Sequence, residues 1–210
     1  MMKWSRIANG DIGRIAQQRM DANRCPYHNW GEHVGSMYDF LERENAPYNI
    51  DLDVAVALHD VIYDSEPNKE ARSADFLEEL AVERPSLFEH VNIDNATGLI
   101  HDTIDHRVGF RSSEESRWII RADLHQLASG LLAFHNFDKI LDESLMLYQC
   151  SVSDFCAANQ NFIRGLRDRV RGNLASDAKY ALFWGDVIRG CGDTIALSKV
   201  VGRTPTERTD

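Results

Sequence analysis

A histidine and an aspartate, His59 and Asp60, stand next to each other inside an otherwise apolar run from Val54 to Ile62. Burying either polar group without a partner costs several kcal/mol, so a further group must compensate both of them. A bound metal ion is the simplest group that uses an imidazole and a carboxylate together. Further side chains that can ligate a metal lie before and after this run, namely His28, His33, His101, His106 and Asp123.

Four of these residues, His33, His59, Asp60 and Asp123, form a mixed set of two imidazoles and two carboxylates. On one helix, the side chains of His59 and Asp60 diverge by about 100°, and both reach an ion that lies between them. Such a set suits Mn, Fe, Co, Ni or Zn better than Ca, with Mg as a further candidate, and it leaves positions open for water. The alternative without a metal is a buried, hydrogen-bonded polar cluster.

The order His33, His59-Asp60, Asp123 resembles the H…HD…D signature of the HD-domain metal-dependent phosphohydrolases. The resemblance covers roughly residues 24–128, and it is closest to a bacterial subgroup of predicted HD phosphohydrolases. The segments that carry it are Tyr27-His28-Asn29, the run His59-Asp60-Val61-Ile62-Tyr63-Asp64, and Asn68-x-Glu70. The resemblance implies an all-α HD-type helical bundle.

The same resemblance implies hydrolysis of a phosphate ester or anhydride, in a small substrate such as a nucleotide, by metal-activated water. Asp64 would orient or deprotonate the water, and His28 would support the phosphate or the leaving oxygen. Deoxynucleoside monophosphates, deoxynucleoside triphosphates and alarmones are the candidate substrates.

Four further residues are candidates for secondary roles. Some HD proteins carry two extra histidines that build a second metal site, so His101 and His106 are candidates for a second metal or for a phosphate contact. On one helix, however, these two side chains diverge by about 140°, which makes sharing one metal awkward. Lys69 and Arg72 are candidates for contacts with the substrate phosphate, and the alternative is that both are solvated.

Two other functions stay open at this point. The first is an HD-type di-iron oxygenase, in which His101 or His106 would bind a second iron. The second is a catalytically silent HD domain that binds a nucleotide. Retention of the whole H…HD…D set favours the hydrolase, because a silent domain needs no open metal site.

The apolar residues recur at spacings of three and four, which predicts an all-helical chain of about eight helices. The second predicted helix, from Asn29 to Glu44, carries His33. The third, the fifth and the sixth are predicted at about Leu52–Tyr63, Ile93–Arg107 and Ser112–Ala128, with Gly109 as the stop of the fifth and a capping box over 112–115. We expect these four helices to line the site of a single domain, residues 1–201, followed by a mobile tail, residues 202–210.

The composition argues against duplex nucleic acid and a lipid bilayer as partners of the chain. A net charge of −10 over 210 residues argues against a grip on duplex nucleic acid, which needs a basic face. No apolar run approaches the roughly 18 residues that span a bilayer. The four cysteines show no CxxC spacing and the first residues lack an apolar signal core, so we expect a cytoplasmic protein, with a homodimer as an open possibility.

Overall fold

The computed structural model describes residues 4–203, without the side chain of Ser5. Every regular element in this range is helical, which confirms the predicted all-α class. Of the predicted tail, residues 204–210 lie outside the described residues. The ten α-helices are α1 Ser5–Ala8, α2 Asp11–Ala22, α3 Gly35–Arg43, α4 Ile50–Leu58, α5 Lys69–Glu83, α6 Ile93–Asp105, α7 Glu114–Leu124, α8 Gly130–Tyr148, α9 Val152–Ser176 and α10 Ala181–Val201. A π-helix, Trp30–Val34, precedes α3, and 3₁₀ turns occupy Pro85–Leu87 and Ala178–Tyr180.

The chain divides between His125 and Gln126 into two compact units. The first unit contains α1 to α7 and every residue predicted for the site. The second contains α8 to α10, and Phe137, Phe155 and Cys156 are buried together in it. A single domain over residues 1–201 stays a prediction. Among the described residues, no helix combines the length and the hydrophobicity that a membrane span requires.

Helix α4 is the central element of the first unit, and its residues from Asp51 to Leu58 are all buried. Its first turn is capped by Asn49, whose side chain accepts hydrogen bonds from the backbone N–H groups of Asp51 (2.8 Å) and Leu52 (3.0 Å). A helix buried on all sides is apolar all round, as the run from Val54 onwards is. The core therefore forms around the helix that leads into His59 and Asp60.

Polar contacts fix the neighbouring helices against α4. Tyr38 on α3 donates a hydrogen bond to the backbone carbonyl of Asp53 at 3.0 Å. The two carboxylate oxygens of Asp51 accept from the backbone N–H of Asn92 and from the side-chain amide of Asn95, each at 2.8 Å. These contacts hold the start of α6 against the start of α4 and so help to fix the position of α6 relative to α4.

The prediction that the third helix continues to Tyr63 is wrong, because α4 ends at Leu58. Nδ1 of His59 donates a hydrogen bond to the backbone carbonyl of Val56, at 3.1 Å. The backbone N–H of Ile62 leaves the helical pattern and donates to the hydroxyl of Ser73 on α5, at 3.1 Å. The side chains of His59 and Ser73 thus take part in the hydrogen bonding that ends the helix.

Two other predicted helix ends also differ from the structure. The capping residue of α7 is Ser113, which accepts from the backbone N–H of Ser116 at 3.0 Å, whereas the predicted cap, Ser112, accepts from the N–H of Gly109. Helix α6 stops at Asp105, because His106 adopts a left-handed conformation with φ 54° and ψ 33°. Gly109 is therefore not the residue that ends α6.

Candidate metal centre

Four candidate donor atoms from three separate parts of the first unit come close together around Nε2 of His33. The imidazole Nε2 atoms of His33 and His59 lie 3.0 Å apart. Oδ2 of Asp60 lies 3.2 Å from the first of these nitrogens and 3.3 Å from the second. Oδ1 of Asp123 lies 3.2 Å from the nitrogen of His33 and 3.9 Å from that of His59. The four residues predicted to hold a metal are thus brought together.

These separations suit a shared cation. Ligand atoms at about 2.1 Å from one ion lie about 3.0 Å apart at right angles and about 3.4 Å apart at the tetrahedral angle. The ligand atoms of His33, His59 and Asp60 all lie within 4.8 Å of one another. Asp123 falls outside that group of three but contacts both of its imidazoles, so we count it as the fourth donor.

His33 reaches this point from a π-helix. The segment Trp30–Val34 is capped by Asn29, whose side chain accepts from the backbone N–H of Glu32 at 3.0 Å. The amide of Asn29 also donates to the carbonyls of Cys25 and Pro26, which closes the preceding loop. A π-helical turn rotates the side chain away from its α-helical direction, and such turns occur frequently at functional sites.

The tautomer of His59 suits metal binding. Its Nδ1 faces the carbonyl of Val56, which only accepts, so Nδ1 carries the proton and donates it. The lone pair of a neutral His59 is therefore on Nε2, which points at the cluster. Nδ1 of His33 is buried and has no hydrogen-bond partner within the described range, so the chain fixes the tautomer of one imidazole and not of the other.

The electrostatics of the cluster favour a positive charge at its centre. Burial lowers the pKa of His33, but hydrogen bonds to Asp123 and Asp60 outweigh this effect and raise it to about 10. Burial also lowers the pKa of His59, and the charge of Asp60 more than offsets that, so the net direction is upward. Burial raises the pKa of Asp123, but the hydrogen bond from His106 and the imidazoles hold it well below its usual range. A proton bridges two of these atoms at a time, whereas a divalent cation would be attracted to all four.

The two predicted catalytic residues, His28 and Asp64, lie in different environments. His28 is half-buried, stacks face to face on Tyr63 with ring centres 3.8 Å apart, and meets the ring of His33 edge-on at 5.2 Å. Asp64 lies beyond the end of α4 rather than one helical turn after Asp60. It receives a bidentate pair of hydrogen bonds from Arg72, at 2.8 and 2.7 Å. These bonds lower the pKa of Asp64 to about 2.

Of the residues predicted to contact phosphate or a second metal, three contact other side chains and one, His101, is exposed. Lys69 lies over the ring of Tyr63, with Nζ 3.7 Å from its centre, and Arg72 holds Asp64. His106 contacts Asp123, with Nε2 2.8 Å from Oδ2. His101, on α6, has an exposed side chain. The structure brings His106 to the cluster and leaves His101 outside it.

Two residues of the site were not singled out from the sequence. Tyr63 supports His28 on one side and receives Lys69 above its ring. His125 is buried against Phe40, and its Nδ1 donates to the carbonyl of Ala122 at 2.6 Å. Burial lowers the pKa of His125 to about 4, so it is a neutral imidazole beside the cluster. The available sequence signals were the tyrosine of the His59–Asp64 run and the D-x-H spacing after Asp123.

Comparison of the chain with models of protein families, with curated proteins and with solved structures found no match. The support for a function therefore comes from the residues of the chain and from their geometry.

Proposed function

We propose that this chain is a metal-dependent phosphohydrolase of the HD type, acting on a phosphate ester or anhydride of a small substrate such as a nucleotide. The observation that carries the proposal is the meeting of four donor atoms, Nε2 of His33, Nε2 of His59, Oδ2 of Asp60 and Oδ1 of Asp123. Three of these side chains are buried and the fourth, Asp123, is 14% exposed, so one side of the cluster reaches solvent. In this proposal the substrate approaches from that side.

The four residues would hold a divalent transition metal such as Mn, Fe, Co, Ni or Zn, and Mg is a further candidate. When bound, such an ion neutralises phosphate oxygens and lowers the pKa of water. Two neutral imidazoles and two carboxylates leave the occupied centre without excess charge, so a phosphate is not repelled by it. The chain as a whole carries a net charge of −10, which repels an anionic substrate. A bound cation would offset this repulsion locally.

His28 is the group we assign to the substrate itself. It is half-buried beside His33, and the face-to-face contact with Tyr63 fixes the plane of its ring. Lys69 and Arg72 hold the segment that carries Tyr63, the first through its ring and the second through Asp64. A ring held in this way can donate a hydrogen bond to a phosphate oxygen or a proton to the leaving oxygen.

Asp64 takes the role of an orienting group in this proposal. A carboxylate with a pKa of about 2 is ionised at every working pH, but it is a weak base. It therefore accepts a hydrogen bond from water more readily than it removes a proton. Arg72 is occupied by this contact, so the role we give it is to hold Asp64 rather than to bind a free phosphate.

The deciding experiment is a product analysis by chromatography. Metal-free protein is reloaded with Mn, Fe, Co, Ni, Zn or Mg and incubated with nucleoside mono-, di- and triphosphates, alarmones and cyclic nucleotides. Release of phosphate, pyrophosphate or triphosphate supports the proposal if Asp60→Ala abolishes it and Asp75→Ala, a change of an exposed acid on α5, does not.

Turnover that survives Asp60→Ala would refute the assignment of the centre. A lack of turnover with every metal would refute the hydrolase and leave the two other functions. Two iron atoms per chain with oxygen consumption would then identify the oxygenase. Saturable nucleotide binding without reaction would identify the silent domain.

A further inference from the structure

His106 occupies an unusual backbone position next to the metal centre. It follows the last residue of α6 with φ 54° and ψ 33°, in the left-handed region that residues other than glycine seldom adopt. This conformation turns the chain away from the direction of α6. It places Nε2 of His106 at 2.8 Å from Oδ2 of Asp123, and the side chain of His106 is 12% exposed.

The two oxygens of Asp123 consequently face different partners. Oδ1 faces Nε2 of His33 at 3.2 Å, and Oδ2 faces Nε2 of His106 at 2.8 Å. An ionised carboxylate only accepts hydrogen bonds, so Nε2 of His106 carries the proton and donates it. A charge-assisted bond of this length occupies one of the lone pairs of Oδ2, so Oδ2 is less available to a metal than Oδ1 is.

We propose that His106 is a positioning residue that restricts Asp123 to one ligand oxygen, Oδ1, and thereby selects for transition metals over calcium. The inference rests on the metal centre of the proposed function and adds a determinant of its metal selectivity. With Asp123 restricted, the chain offers four donor atoms, two nitrogens and two oxygens. Zn and Co accept such a set directly, whereas Ca prefers six to eight oxygens and often binds a carboxylate through both of its oxygens.

The second histidine of α6 provides a matched control. His101 lies one helical turn before the end of α6, and its side chain is exposed. The two histidines therefore lie on α6 or directly after it and share a side-chain type, but they differ in the contact with Asp123. A change of His101 tests general effects on α6, and a change of His106 tests the contact.

The experiment compares His106→Ala, His106→Gln and His101→Ala. Glutamine keeps an N–H donor at similar reach, and Gln149 at the end of α8 shows that a glutamine adopts the left-handed conformation in this chain, with φ 48°. All three residue types carry a Cβ, so none of them gains the freedom in the left-handed region that a glycine would have at position 106. Affinities for Co, Zn and Ca are measured by competition with a chelating dye, and the visible spectrum of the Co-loaded protein reports its coordination number.

We expect His106→Ala to lower the affinity for Co and Zn about 10- to 100-fold, the usual effect of removing a group that orients a metal ligand. The affinity for Ca should fall less or rise, and the Co spectrum should weaken as the coordination number increases. His106→Gln should restore most of the parental affinity and spectrum. His101→Ala should leave both unchanged.

Unchanged metal affinities and spectrum in His106→Ala would overturn the inference, and so would an equal loss in His101→Ala. A loss in His106→Ala that His106→Gln does not restore would assign the effect to packing and would also overturn it. If the parent binds no divalent cation, the inference and the proposed function fail together. If the metal results are as expected but no phosphate is released from any substrate, only the proposed function fails.

Discussion

The buried carboxyl of Asp53 should make the stability of the protein fall as the pH rises from about 4 to about 6. Asp53 lies inside α4 and is 0% exposed, and its Oδ2 accepts a long hydrogen bond, 3.4 Å, from the backbone N–H of Ile7. Burial raises its pKa from the ordinary value of 3.8 to about 6, although the hydrogen bonds that it accepts act in the opposite direction. In this interval the unfolded chain has released the proton and the folded chain still holds it.

The direction and size of the effect follow from proton linkage. A folded pKa above the unfolded value means that unfolding releases a proton, so the free energy of unfolding falls as the pH passes from 3.8 to about 6. One pKa unit corresponds to about 1.4 kcal/mol. The free energy of unfolding is therefore lower by about 3 kcal/mol once the pH is well above 6 than it is below 3.8. Asp53→Asn removes the titrating group and should therefore remove this loss.

The assay is urea unfolding of the metal-free protein, followed by circular dichroism, at pH 4 and at pH 7. The difference in unfolding free energy between Asp53→Asn and the parent should shift by about 2.4 kcal/mol in favour of the variant between these two values, because a small part of the loss has already occurred at pH 4. Asp75→Asn, which removes an exposed acid, should show no comparable shift. The difference between Asp53→Asn and the parent could instead stay constant to within about 0.5 kcal/mol. Asp53 would then have an ordinary carboxyl pKa in the folded protein, and the reasoning would be wrong.

Two further predictions concern the site. Asp60→Ala should lose the bound metal and all turnover but keep the parental helical circular dichroism, because Asp60 lies beyond the last residue of α4; a variant that retains full metal content would disprove the ligand assignment. A carbon-detected NMR titration of metal-free protein should give Asp64 a pKa of about 2, and Arg72→Met should move it towards 3.8, because the largest cause of the shift is the hydrogen bonding to Arg72. An unchanged titration in Arg72→Met would show that the bidentate contact does not persist in solution.

The residues of the candidate metal centre could be named from the sequence because their types and their order along the chain are informative. His59 and Asp60 interrupt an apolar run, and a buried pair of this kind requires compensation wherever it lies in the fold. The all-α class could also be predicted, because apolar spacing reports the buried face of each helix. The chemistry of the four donors, two nitrogens and two oxygens, needs no coordinates either.

The tertiary structure decided where helices end and which histidine reaches the cluster. Apolar spacing does not report helix ends, which depend on local contacts such as those of His59 with Val56 and of Ile62 with Ser73. The π-helix that presents His33 and the left-handed turn at His106 have no periodic signal. His101 and His106 were equal candidates in the sequence, and only the left-handed turn at the end of α6 puts one of them in contact with Asp123 and leaves the other exposed.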